Sequence, residues 1–126
     1  MKAVQTDNAP KVVGPYSQAI VAGNLVFCAG QIAIDPAIND LVAGGIKEQT
    51  TQTLRNLKGV VEAAGTNMGF VVSTSVFLAD MNDYKDMNEI YTAFFSSDPK
   101  PSRVTVSVVK LPRNALVEIS CIACLG

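Results

Sequence analysis

The sequence predicts an α+β fold in which a mixed β-sheet carries two helices on one face. Three observations lead to it. Two stretches, one from Ile46 and one after Asp80, repeat apolar residues at spacings of three and four, whereas most other apolar stretches are short and rich in β-branched residues. The order reads strand, strand, helix, strand, helix, strand, strand, with no internal repeat or linker, so residues 1–126 are read as one domain. Apolar residues make up 48% of the chain and charged residues only 17%, with a mean hydropathy of +0.27. A small monomer has too much surface to cover with so few polar groups. The sheet face left without helices is therefore expected to lie against another subunit.

The first sixteen residues are polar and end in the turn Gly14-Pro15-Tyr16. Ser17 to Ala22 reads as a strand, Gly23-Asn24 as a two-residue hairpin turn, and Leu25 to Ala29 as the returning strand, which runs on into Gly30-Gln31. Asp35 to Gly45, with its Pro, Asn and Gly residues, reads as loop. Ile46, Thr50, Leu54, Leu57, Val61 and Ala64 form one face of an amphipathic helix that Gly65 ends. Phe70 to Ala79 alternates as a strand, with Val72, Thr74, Val76 and Leu78 on one side. Asp80-Met81-Asn82 offers a cap to a second helix whose face is Tyr84, Met87, Ile90, Tyr91, Phe94 and Phe95. Asp98-Pro99-Lys100-Pro101 stops it, because proline lacks the donor and disfavours helix in the residue before it. Lys100 to Cys124 reads as a closing hairpin of two apolar strands joined by Leu-Pro-Arg-Asn-Ala.

Several chemistries are excluded. The net charge is −1 with no basic run, so the electrostatic footprint of a nucleic-acid binder is missing. No apolar run approaches the roughly 18 residues of a membrane span, and the N-terminus lacks the apolar core of a signal peptide. Three cysteines fit a reducing compartment better than a disulfide framework, so a cytoplasmic location is expected. Histidine is absent, which removes the commonest general base and zinc ligand. Cys121-Ile122-Ala123-Cys124 has a metal-motif spacing, but residues three apart on a strand face opposite ways and no second ligand pair exists. These thiols, and Cys28, read as packing. No glycine pattern makes a phosphate loop.

Two charges set inside the last apolar strands stand out, Arg103 and Glu118. Burying a charge without a partner costs several kcal/mol, roughly, so each is expected to be exposed, paired, or engaged with a ligand. The arginine fork suits a carboxylate, but composition alone favours a surface or interface ion pair. Glu118 fits either a structural salt bridge or work on a ligand. In the expected hairpin, Arg103 pairs near Ile122 and Glu118 opposes Ser107. The two charges are then roughly 13 Å apart and free to meet something else, across a subunit boundary for instance. Tyr16 and Asn88, taken singly, fit packing and a solvated helix position.

The chain resembles the RidA/YjgF family of reactive-intermediate imine deaminases over nearly its whole length. The resemblance rests on Pro101-Ser102-Arg103-Val104, Leu111-Pro112 and Val117-Glu118-Ile119. Supporting stretches are Gly14-Pro15-Tyr16-Ser17-Gln18-Ala19, Ala29-Gly30-Gln31-Ile32, Glu62-Ala63-Ala64-Gly65, and Asn88 with Tyr91 and Phe94-Phe95. It implies a chorismate-mutase-like fold, a homotrimer with a central barrel, and ligand sites between protomers. The implied activity is hydrolysis of 2-imino acids and their enamine tautomers to 2-keto acids and ammonia, with no cofactor and no metal. It assigns the substrate carboxylate to Arg103 and the attacking water to Glu118, with Gly30, Tyr16 and Asn88 completing the pocket. Many members carry cysteine two residues after the arginine. Here it is Thr105, on the same strand face as Arg103, whose hydroxyl can hold a water. The segment 95–101 is also about two residues shorter than is common in the family. Two other readings remain: a module that binds small carboxylates without turnover, and a ribonuclease or translation inhibitor, against which the charge and the missing histidine argue.

Overall fold

The computed structural model describes residues 1–126. In chain order the elements are β1 (Lys2–Val4), β2 (Ala19–Ala22), β3 (Leu25–Gln31), β4 (Ile34–Asp35), β5 (Asp40–Leu41), α1 (Ile46–Ala63), β6 (Val71–Leu78), α2 (Tyr84–Phe94), β7 (Ser102–Ser107) and β8 (Val117–Cys124). Six strands form one sheet in the order β1-β2-β3-β8-β6-β7, while β4 and β5 make a separate two-stranded ribbon. Within the large sheet β7 runs parallel to β6, and every other neighbour is antiparallel. This is the α+β arrangement expected, with both helices on one face of a mixed sheet.

The helices start and stop where local chemistry dictates. Gly45 holds an extended conformation before α1, and the Glu48 carboxylate accepts its backbone N–H at 2.8 Å. That interaction satisfies one of the otherwise orphaned donors of the first turn. Gly65 ends the helix at φ +98°, a conformation that favours glycine. Asp80 caps the short 3₁₀ turn at Met81–Asp83 that leads into α2, accepting from Asn82 N–H at 2.8 Å. Leu54, Leu57, Val60 and Val61 of α1 and Met87 of α2 are fully buried against Val26, Val76, Val117 and Ile119 of the sheet. Each such side chain stabilises the fold by about 1.5–3 kcal/mol relative to leaving it in water.

Four details depart from the sequence reading. The polar N-terminus contributes β1, which pairs Lys2–Val4 against Ala19–Val21. Only Val4 of the three is buried, so backbone pairing forms this strand and no side-chain alternation announces it. The loop before α1 closes into the β4–β5 ribbon. Phe70 belongs to a 3₁₀ turn, and an irregularity between Val71 and Ser73 turns Val72 outward, leaving Val71, Thr74, Val76 and Leu78 on the buried side.

The largest departure is the closing hairpin, which does not form: β6 lies between β7 and β8 and pairs with both. The cause is the helix upstream. A strand, a crossover helix and a second strand naturally make a parallel pair, so β6–α2–β7 occupies the sheet edge. The segment 108–116 then crosses over the end of β6. Its Leu-Pro-Arg-Asn-Ala stretch forms a 3₁₀ turn with Arg113 and Asn114 at positive φ rather than a hairpin turn.

The face opposite the helices carries Phe27 (44% exposed), Val104 (51%) and Val106 (41%), with Leu25 and Ile122 beside them. No element of the chain covers it.

Candidate active site

Glu118 is the second residue of β8 and stands on the uncovered face, level with Phe77 of β6. It is half-buried, and burial pushes its carboxyl above the ordinary value of 4.5. The three ion pairs of the chain are Lys47–Glu89, Lys100–Asp98 and Arg113–Asp40, so Glu118 has no cationic partner within the protomer. It borders a cavity of about 410 Å³ lined by Tyr16, Gly30, Ile32, Pro112 and Arg113 among others. Gly30 lies on β3 where the β3–β8 register slips between Cys28 and Gln31. A Cβ there would sit 2.6 Å from Glu118 Oε2, so only glycine lets the carboxylate lie flat against the strand. Tyr16 stands exposed at the rim.

Three buried amides hold the surroundings of this cavity. Gln18 accepts from Thr6 N–H at 2.7 Å and donates to the carbonyls of Thr6 and Pro10, tying down the N-terminal wall. Asn56, fully buried on α1, donates to the Ile32 and Ile34 carbonyls at 3.1 and 2.8 Å. Gln49 accepts from Leu116 N–H at 2.8 Å, just before the strand that carries Glu118. A buried amide with satisfied partners rigidifies the loops it joins.

Arg103 sits on the other face. It is level with Thr74 of β6, whose side chain is buried under α2. Its Nη1 donates to Asn88 Oδ1 and its Nη2 to the Tyr84 hydroxyl, both at 2.7 Å. The guanidinium lies 4.6 Å from the Tyr91 ring centre, close enough for a cation–π contact. The Tyr91 hydroxyl is fixed by a 2.8 Å hydrogen bond with Thr74 Oγ1, and burial pushes that phenol above its ordinary value. No carboxylate of the chain neutralises the arginine. Thr105, two residues on, buries its hydroxyl without a hydrogen-bond partner. A shallow cavity of about 390 Å³ opens here, lined by Asn88, Tyr91, Phe95, Lys100 and Arg103.

The structure therefore sorts the candidates into two groups. Glu118, Gly30 and Tyr16 share one cavity. Arg103 and Asn88 share another, with Thr105 on the same strand face as Arg103. Thr74 and Phe77, the β6 residues level with Arg103 and Glu118, are three apart on a continuous strand, so the two charges face opposite sides of the sheet. Two strand spacings and three residues separate their Cα atoms by about 14 Å. The premise that they lie on one hairpin is replaced by this geometry.

Asn56 is a site-building residue that sequence reasoning did not name, and Tyr84, Thr74, Gln18 and Tyr91 entered it only as packing positions or parts of a motif. One signal was available: Tyr84, Asn88 and Tyr91 fall at i, i+4 and i+7, a single helix face. The cysteines stay outside both groups. Cys28 and Cys121 are directly paired across β3 and β8 and buried, and their mutual hydrogen bond together with burial holds the Cys121 thiol above its ordinary value.

The family model for endoribonuclease L-PSP matches residues 6–125. A RutC family protein of Pyrococcus horikoshii is 51% identical over 122 residues, covering 97% of this chain and 96% of its own length. The chloroplastic Reactive Intermediate Deaminase A of Arabidopsis thaliana is 44% identical over 124 residues, covering 98% of this chain and 66% of the relative. Among solved structures, TdcF of E. coli with bound serine superposes with a TM-score of 0.94 at 35% identity, covering 98% of each chain.

Proposed function

The chain belongs to the endoribonuclease L-PSP family, that of the RidA/YjgF proteins, and from that membership we propose that it hydrolyses 2-imino acids and their enamine tautomers, 2-aminoacrylate and 2-aminocrotonate among them. The products are a 2-keto acid and ammonia. The site is built between two protomers of a homotrimer, Arg103 and Asn88 coming from one and Glu118, Gly30 and Tyr16 from its neighbour. The observation that carries this reading is the opposed placement of two uncompensated charges. Neither Arg103 nor Glu118 finds an ion partner in its own chain; Glu118 stands on an apolar sheet face that nothing in the chain covers, and Arg103 lies on the edge strand β7 and faces the helix side. Apposing such faces in a closed ring brings unlike half-sites together.

The chemistry needs little beyond placement. Arg103 holds the substrate carboxylate through the donors it does not spend on Asn88 and Tyr84. Thr105, on the same strand face, keeps its hydroxyl buried and out of reach of the ligand in this conformation. Glu118 takes a proton from a water, whose oxygen attacks the iminium carbon and pushes the C=N electron pair onto nitrogen. The glutamic acid then returns the proton to nitrogen. The resulting carbinolamine collapses, its hydroxyl proton leaving to solvent as the C–N bond breaks and ammonia departs. Orientation and one carboxylate base supply most of the acceleration such an electrophile requires. That the TdcF structure holds serine supports a pocket sized for a small amino-acid-like carboxylate.

The test is subunit mixing. Generate 2-aminocrotonate in situ with a threonine dehydratase and follow 2-oxobutanoate. Arg103→Ala and Glu118→Gln homotrimers are each expected to be inactive. Unfolded and reassembled together in equal amounts, they should recover about one quarter of wild-type activity, since one interface in four pairs an intact arginine with an intact glutamate. No acceleration by wild type, or activity in either homotrimer, removes the proposal. A pure carboxylate-binding module would instead bind 2-oxobutanoate equally well as Glu118→Gln and show no turnover in any form. The nuclease in the family's description lacks support here, because a chain of net charge −1 with no histidine has neither a cationic track nor an imidazole pair.

A further inference from the structure

We propose that Tyr84 is the positioning residue of the carboxylate site, acting through Arg103. This rests on the reading that Arg103 binds the substrate carboxylate. Arg103 lies on β7, an edge strand with four of its six residues exposed. A long side chain there has large rotamer freedom, and an unordered fork binds a carboxylate poorly because each encounter must first fix it. Three groups from one face of α2 remove that freedom. The Tyr91 ring lies under the guanidinium carbon, 4.6 Å from its centre. Asn88 takes one hydrogen from Nη1 and Tyr84 takes one from Nη2, each at 2.7 Å.

The three anchors differ in what they restrain. A cation–π contact leaves the guanidinium free to turn over the ring, and one hydrogen bond leaves it free to pivot about that bond. Two acceptors on different terminal nitrogens fix the in-plane angle. Tyr84 is thus the second point that converts a tethered cation into an oriented one. Of the five guanidinium donors, three stay free for a ligand. The Tyr84 hydroxyl has no other hydrogen bond in the chain, so the bond to Arg103 is its whole polar role. Removing the oxygen alone keeps the ring and its packing while releasing the fork.

The experiment compares wild type, Tyr84→Phe and Arg103→Ala. Kinetics use 2-aminocrotonate, and calorimetric titration uses 2-oxobutanoate as the probe. Nitrogen–proton spectra of the arginine side chains report rotation of the fork directly. Tyr84→Phe is expected to raise KM and the 2-oxobutanoate Kd about tenfold, the scale of one hydrogen bond to a charged group. Its kcat stays within about twofold and its Tm is unchanged, because neither base nor core is touched. The Nη signals of Arg103, resolved by slow rotation in wild type, should average in Tyr84→Phe. Wild-type KM and Kd in Tyr84→Phe overturn the proposal, as does a loss that follows a lowered Tm. If Arg103→Ala itself binds 2-oxobutanoate as wild type does, the carboxylate-anchor reading falls and takes this inference with it. Weak binding by Arg103→Ala beside intact binding by Tyr84→Phe sinks the Tyr84 role alone.

Discussion

Replacing Gly30 by alanine separates the fold from the chemistry. The added Cβ would lie 2.6 Å from Glu118 Oε2, 3.0 Å from its Cδ and 3.1 Å from its Cγ. Ordinary contacts of this kind lie near 3.5 Å, so the carboxylate must retreat by roughly 1 Å or swing to another rotamer. Gly30 is not among the residues with positive φ, so the substitution adds no backbone strain. It even gains a few tenths of a kcal/mol, roughly, by narrowing the unfolded ensemble. The displaced atoms are the far end of a flexible side chain with space beside it. We therefore expect Tm to change by no more than about 4 °C, equivalent to about 1 kcal/mol in a chain of this size. The catalytic cost is another matter. A misplacement of about 1 Å in a reacting group costs about 10²-fold in rate. Keto-acid release from 2-aminocrotonate should thus fall about a hundredfold in kcat while the thermal transition stays in place. Wild-type kcat in Gly30→Ala would show that the position of this carboxylate is immaterial. A hundredfold loss that follows a lowered Tm would place the effect in the fold instead.

Two further predictions follow from burial and hydrogen bonding. Burial raises the Glu118 carboxyl above 4.5, so ionising it is opposed in the folded chain. Its contribution to stability is full below the unfolded-state value and is lost as pH rises through the folded one. Under the proposed mechanism activity runs the opposite way, because attack would need the carboxylate. The pH dependence of the urea midpoint should flatten in Glu118→Gln, and an unchanged pH dependence contradicts the burial argument. Asn56→Ala strands the Ile32 and Ile34 carbonyls and the Gln52 amide that donates to it. It is expected to cost about 2–4 kcal/mol in urea unfolding and to loosen the Ile32 wall of the cavity; an unchanged midpoint would remove the clamp.

What the sequence made legible was local. The face Ile46–Ala64, its glycine stop and the Gly23-Asn24 turn are each written in residues within a few positions of one another, and each stands as read. Strand partnership is not local. Val104 and Ile119 look equally ready to pair with anything apolar, and two adjacent strands with a Pro-Arg-Asn segment between them satisfy every short-range criterion for a hairpin. The decision lies in α2, which commits β7 to the edge beside β6. β1 escaped notice for a related reason, since three residues held by backbone bonds leave no side-chain pattern.

The same crossover explains why Arg103 has the surroundings it does. In a hairpin with β8, residue 103 would lie beside residue 122, and its surroundings would be set by whichever face the turn selected. As the returning arm of β6–α2–β7, strand β7 must present alternate residues to the helix that led into it. Arg103 is one of these, level with Thr74, and the helix face it meets is Tyr84, Asn88 and Tyr91. Glu118 sits one strand beyond β6 and one face away, where the helices cannot reach it. The topology thus gives the arginine its orienting partners within the chain and denies it the glutamate. A ligand that needs both charges has to find the second one in another copy of the chain.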